Sequence, residues 1–193
     1  MIKVNTVIEN LKEAIIGEYT AQRKYLLFSE KAQKENQLMI AKLFKTISMA
    51  ESIHVKNHLR ALEKITDKRY NVEEIVDFDD SILLNKINST RNNLVNAISG
   101  ETYEFKKMYK NYIKNAKKKE VFLAEFSFDL ARKAEKVHGE LFTNYLNLLD
   151  DGKIIDEIDI YLCKICGNVE LNEAPLICPN CDHDQQFFEE ISL

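Results

Sequence analysis

Apolar residues recur at alternating steps of three and four over most of the first 150 positions, the spacing of helices that each bury one stripe. Four stripes can be traced. The first reads Val4, Ile8, Leu11, Ile15, Glu18, Gln22, Tyr25, Ser29 and predicts a helix over 5–34. The second reads Ile40, Phe44, Ile47, Glu51, His54, His58, Ala61, Ile65 and predicts a helix over 36–65. The third reads Ile87, Thr90, Leu94, Ala97, Glu101, Glu104, Met108, in a helix that follows Ser89 or begins slightly earlier and ends near 117. The fourth reads Val121, Ala124, Phe128, Ala131, Glu135, His138, Phe142, Tyr145, Leu149 and predicts a helix over 120–150. Neither proline precedes position 175, so no strong helix breaker interrupts this stretch. Lys117, Lys118 and Lys119 suit a solvated helix end, where cations oppose the dipole. Residues 66–85, with Asp67, Asn71, Asp77, Asp79 and Asp80, read as a crossover. Two tight helix pairs joined by one long connection describe an all-α, four-helix, ferritin-like bundle over 1–150.

Each stripe is interrupted near its middle by ligand-type side chains. Together the stripes turn five carboxylates inward, Glu18, Glu51, Glu101, Glu104 and Glu135, and no Lys or Arg. An unpaired buried carboxylate costs several kcal/mol even after relaxation, so this set needs cations. Two iron or manganese ions would supply enough charge, and glutamates with a few imidazoles suit those metals. Glu51-x-x-His54 and Glu135-x-x-His138 each put two ligands on one helix face, and with Glu18 and Glu101 they reproduce a di-metal carboxylate template. Gly17, Gly100 and Gly139 each neighbour a proposed ligand, which suggests helices closing tightly around metals. His58, one turn past His54, is expected as a hydrogen-bonded or solvent-facing residue near the bundle end rather than a ligand. Tyr25 and Tyr109 read equally as core aromatics or as hydrogen-bond donors to ligand carboxylates.

Residues 151–160 read as a linker, and the remaining 161–193 are too few for an apolar core of their own. The staple is Cys163-x-x-Cys166 with Cys178-x-x-Cys181. Four thiolates on two tight turns make a tetrahedral S₄ site for zinc or one iron. The start carries no apolar run of an export signal, so ligation is expected over disulfides and the cytoplasm as the compartment. A net charge of −4 leaves no footprint for nucleic acid, and no apolar run is long enough to span a membrane.

These motifs resemble one family, the rubrerythrins. Gly17-Glu18-x-x-Ala21-x-x-x-Tyr25, Glu51-x-x-His54, Gly100-Glu101-x-x-Glu104 with Met108-Tyr109, and Glu135-x-x-His138 resemble its four helix motifs in order. Tyr161-x-Cys163-x-x-Cys166-Gly167 through Cys178-Pro179-x-Cys181 and Phe187 resembles its rubredoxin-like module, which binds iron; zinc could substitute. The resemblance implies two non-haem irons in the bundle and reduction of hydrogen peroxide to water, with electrons delivered through the Cys₄ iron from a donor protein such as a rubredoxin or its reductase. It also implies Glu51 and Glu135 as bridging carboxylates, Glu18 on one iron, Glu101 and His138 on the other, and Glu104 and His54 exchanging on the first iron with redox state. His58 departs from the pattern. A homodimer is expected, with the Cys₄ module of one chain near the bundle site of the other, because a return over its own bundle offers few apolar anchors.

Two other readings fit parts of the sequence: a ferritin-like iron-oxidising storage protein, and a non-catalytic scaffold carrying a zinc ribbon. Eleven ligand candidates in two sets predict a di-metal pair plus one further metal per chain. Elemental analysis with a visible spectrum after anaerobic iron loading checks this, and a bundle that takes up no metal overturns it.

Overall fold

The computed structural model describes residues 4–77, 79 and 81–193. Met1, Ile2, Lys3, Phe78 and Asp80 lie outside the described residues, and with them the first positions of the N-terminal reading and one crossover aspartate. The bundle consists of α1 (Asn5–Lys34), α2 (Leu38–Thr66), the single turn α3 (Ser81–Leu84), α4 (Thr90–Tyr103), α5 (Tyr109–Lys118) and α6 (Phe122–Asp150). The chain reverses at left-handed residues, Asn36 at φ 58°, Asp67 at φ 51° and Glu120 at φ 56°. Asn and Asp tolerate that conformation because their short polar side chains bond locally. Ser89 caps α4 as its Oγ accepts from the Asn92 amide at 3.4 Å. The crossover is not structureless, since a 3₁₀ turn at Val72–Glu74 and α3 lie within it.

The third helix is not continuous. A π-helical stretch, Glu104–Met108, separates α4 from α5. Such bulges add a residue per turn and cluster at functional sites. The stripe beyond Glu104 therefore drifts: Met108 is only half-buried, while Tyr109 is fully buried.

Buried apolar side chains form two clusters within the bundle. One gathers Tyr25, Phe28, Phe44 and Phe142; the other gathers Leu11, Leu62, Tyr109 and Phe128. Glu18, Glu51, His54, Glu101, Glu135 and His138, none more than 1% exposed, belong to neither. The stripes thus predicted the core and the polar residues that interrupt it.

The C-terminal module is a three-stranded antiparallel sheet ordered β2-β1-β3, from β1 (Ile160–Cys163), β2 (Val169–Leu171) and β3 (Phe188–Glu190). Within the chain it packs on its own bundle. The anchors thought to be missing are present: Ile155 and Ile158 of the linker and Ile160, Leu162, Val169 and Ile191 of the module join the Phe44–Phe142 cluster. Polar ties add to them. Lys42 Nζ donates to the Ile158 carbonyl at 3.0 Å, and Asn57 Nδ2 donates to the Ile165 carbonyl at 2.8 Å. From the module, Asn180 Nδ2 donates to the Leu130 carbonyl at 3.1 Å. Residues 151–160 are more than a tether, since Ile155 and Ile158 pack against the core. No helix among the described residues is long and apolar enough to cross a membrane.

Candidate metal centres

Two groups of buried side chains meet in the bundle. Glu18, Glu51, His54 and Glu135 bring ligand atoms within 4.8 Å of one another, and so do Glu51, Glu101, Glu135 and His138. Glu51 and Glu135 belong to both. His54 Nδ1 lies 2.9 Å from Glu51 Oε2, 2.9 Å from Glu135 Oε1 and 3.6 Å from Glu18 Oε1. His138 Nδ1 lies 2.9 Å from Glu135 Oε2, 3.6 Å from Glu101 Oε2 and 3.8 Å from Glu51 Oε1. The geometry follows from two (i, i+3) pairs on α2 and α6 facing single glutamates on α1 and α4.

The other ring nitrogens identify the tautomer. His54 Nε2 is 3.0 Å from the Cys166 carbonyl, and His138 Nε2 is 2.9 Å from the Gly167 carbonyl. A carbonyl only accepts, so both Nε2 atoms carry hydrogen, and both Nδ1 atoms face the carboxylates, where a metal can take the place of the Nδ1 proton. Four fully buried oxygens, Glu18 Oε2, Glu51 Oε1, Glu101 Oε2 and Glu135 Oε1, have no hydrogen-bond partner. Buried carboxylate oxygens converging with imidazole Nδ1 atoms suit hard-to-borderline cations, so the residues fit a metal pair.

Tyrosines hold two of these carboxylates. Tyr25 Oη donates to Glu101 Oε1, and Tyr109 Oη donates to Glu18 Oε1. Each is both a core aromatic and a carboxylate partner, and each reaches across to another helix. Burial, then the adjacent carboxylates, push both phenols well above their ordinary range. His58 is fully buried rather than solvent-facing. Its Nε2 lies 2.8 Å from Tyr109 Oη and its Nδ1 lies 2.7 Å from Ser127 Oγ.

Glu104 stands apart. It is half-buried at the head of the π stretch and falls in neither group. Of the three glycines, Gly139 has a packing reason, since a Cβ there would lie 3.2 Å from Glu101 Cβ. Gly100 has only ordinary contacts and Gly17 has none, so close helix approach does not account for those two. The decisive glycine is Gly167, which follows the first cysteine knuckle. It sits at φ +79°, and a Cβ on it would come 2.5 Å from His54 Nε2. No spacing in the sequence signals that contact.

In the module, Cys163 Sγ lies 3.7 Å from Cys181 Sγ, and Cys166 Sγ lies 3.6 Å from Cys178 Sγ. All four ligand atoms lie within 4.8 Å, and none of the cysteines is in a disulfide. A tetrahedron with metal–sulfur bonds of about 2.3 Å has edges of about 3.8 Å, so the four thiols fit one metal ion.

Both parts of the chain match known proteins. Residues 9–146 match the family model described as Rubrerythrin, and residues 161–189 match that of the rubredoxin-like domain of rubrerythrin. Rubrerythrin-2 of Clostridium acetobutylicum is 34% identical over 93% of each chain. Nigerythrin of Nitratidesulfovibrio vulgaris is 31% identical over 96% of this chain and 86% of its own. The solved structure of nigerythrin in a mixed-valence state superposes with TM-score 0.84 at 29% identity, covering 95% of this chain and 86% of that one. A fully reduced, all-ferrous nigerythrin gives TM-score 0.81 at 28% identity over the same shares.

The buried charges predict how stability depends on pH without metal. Burial and neighbouring carboxylates hold Glu51, Glu104 and Glu135 well above 4.5, the last against the pull of His54. A raised carboxyl supports folding fully below about 4.5, and that support is lost as pH climbs through its folded value. His54 and His138 act in the same sense above 6.5, since carboxylates outweigh burial and raise both. Glu18 acts oppositely: bonds to His54 and His58 outweigh burial and hold it low. The metal-free protein should therefore lose stability as pH rises from 4.5 through neutrality, and metal should abolish that slope. Denaturant midpoints measured across pH, with and without metal, check this.

Proposed function

The chain belongs to the rubrerythrin family, and from that premise we propose that it reduces hydrogen peroxide to water at a di-iron site, drawing electrons through its Cys₄ iron from a donor protein. The family binds iron, and the carboxylate–histidine site of the bundle and the four-cysteine site are its metal centres. The observation that carries the reading is the pair of histidines joining them. His54 and His138 turn Nδ1 to the carboxylates and donate Nε2–H to carbonyls of the first cysteine knuckle. The route between the sites is thus two side chains and two hydrogen bonds.

Each residue has a role in this reading. Glu51 and Glu135, common to both groups, would serve both irons. Glu18 and His54 hold one iron, and Glu101 and His138 hold the other. Cys163, Cys166, Cys178 and Cys181 hold the single iron. Tyr109 and Tyr25 orient Glu18 and Glu101, and the apolar clusters exclude water. The bound iron pair supplies two electrons at once, the number that converts one peroxide and two protons to two waters, whereas a single-iron S₄ centre carries one electron at a time. Glu104 and His54 would be the exchanging ligands: His54 is in its group, and Glu104 lies outside it, where the charges of Glu18, Glu101 and Glu135 reach it. A π stretch, with its looser turn, suits a carboxylate that must move. The homodimer remains part of the proposal, since two chains exchanging modules would keep every docking contact.

Replacing Cys163 and Cys178 by Ser should remove the red ferric S₄ spectrum and leave the bundle folded. The chemically reduced variant should still consume peroxide once but turn over poorly with a protein donor; undiminished turnover would place electron entry elsewhere. Glu104→Ala should retain both bundle irons and slow the redox cycle, while Glu51→Ala loses metal. Metal content with single-turnover kinetics reads both, and the reverse result would overturn the bridging assignment.

A further inference from the structure

Between α2 and α6 a groove of about 210 Å³ opens beside the Cys₄ module. Leu130 lines it, 6% exposed and packed with Cys163, Cys166 and Cys178, and Ile165 of the first cysteine knuckle closes one end. Leu123 and Phe126 flank it at 53% and 60% exposure, and Phe122 extends the apolar surface at 73%. Three large exposed apolar side chains within five residues form a patch rather than scattered surface positions. The α2 wall is basic. Arg60 and Lys64 line it, and Lys56 continues the row one turn earlier, because steps of four share a helix face. None of the three is ion-paired among the described residues. On the α6 side Glu125 and Asp129 are already engaged, by Lys117 at 3.7 Å and Lys133 at 2.9 Å. A chain of net charge −4 thus presents, next to its Cys₄ site, an apolar strip with an unneutralised positive edge.

We propose that this strip is the docking surface for an acidic one-electron carrier protein. The proposal rests on the reading of the Cys₄ iron as the point of electron entry. The step it serves moves one electron from the partner's reduced centre to the ferric Cys₄ iron, with no bond made or broken and no proton transferred. Such a step needs a brief encounter close to the acceptor. A small apolar contact guided by opposite charge provides that, at the low end of interface sizes. A second copy of this chain is the poorer occupant, because a two-fold contact over the strip would bring its own cations together.

An acidic rubredoxin serves as the probe. Adding its oxidised, paramagnetic form to the zinc-loaded chain should broaden the amide resonances of Leu123, Phe126 and Ile165 first. Arg60→Glu with Lys64→Glu, both exposed and so harmless to the fold, should weaken association about tenfold or more at low salt. The difference should shrink above about 0.15 M, where charges are screened beyond about 8 Å. Phe126→Ser should weaken it while leaving the salt dependence intact. In the iron-loaded chain, reduction of the red S₄ centre by reduced rubredoxin should slow by the same factor, with reduction by dithionite unchanged. Broadening on another face, or unchanged rates in both variants, overturns the proposal. So does a wild-type dimer that either variant converts to monomer, which would make the strip a self-interface. Docking at the strip without peroxide consumption would uphold this proposal and sink the peroxide reading instead.

Discussion

Four glutamates are fully removed from water in the middle of an apolar bundle, and each leaves an oxygen without a hydrogen-bond partner. A bare buried carboxylate costs several kcal/mol, so the arrangement stands only if positive charge enters with it. Two histidines and two tyrosines cannot neutralise four carboxylates, whereas a pair of iron ions can. The long helices, Asn5–Lys34, Leu38–Thr66 and Phe122–Asp150, suit this task because each runs past the charged residues into apolar clusters on either side. Hydrophobic burial in those clusters stabilises the helices that hold the carboxylates together.

The same constraint ties the module to the bundle. His54 and His138 must present Nδ1 lone pairs inward, which leaves two buried Nε2–H donors pointing outward. A buried donor without an acceptor costs about 1–3 kcal/mol. The knuckle supplies both acceptors, the carbonyls of Cys166 and Gly167, and only a residue without a Cβ at 167 lets His54 approach. Metal binding in the bundle, the tautomer of the imidazoles and docking of the Cys₄ module therefore stabilise one another. His58 belongs to the same support at one remove, linking Ser127 on α6 to the tyrosine that holds Glu18.

The sequence by itself determined the bundle, its core and both clusters of ligand-type side chains, because each rests on a local period. Glu18, Glu51, His54, Glu101, Glu135 and His138 interrupt apolar stripes at helical spacing, and two Cys-x-x-Cys knuckles announce an S₄ site without reference to the rest of the chain. Only the tertiary structure decided what depends on atoms from distant segments. The π stretch puts Tyr109 rather than Met108 in the core, because a 3.6-residue period presumes unbroken α-helical bonding. The linker isoleucines become anchors only once a surface stands beside them. Tyr25, Tyr109 and His58 find their partners on other helices, and Gly167 is needed because an imidazole from another segment arrives where its side chain would be. Periodicity is carried by neighbours in sequence, and these contacts join residues separated by 50 to more than 100 positions, which no local pattern encodes.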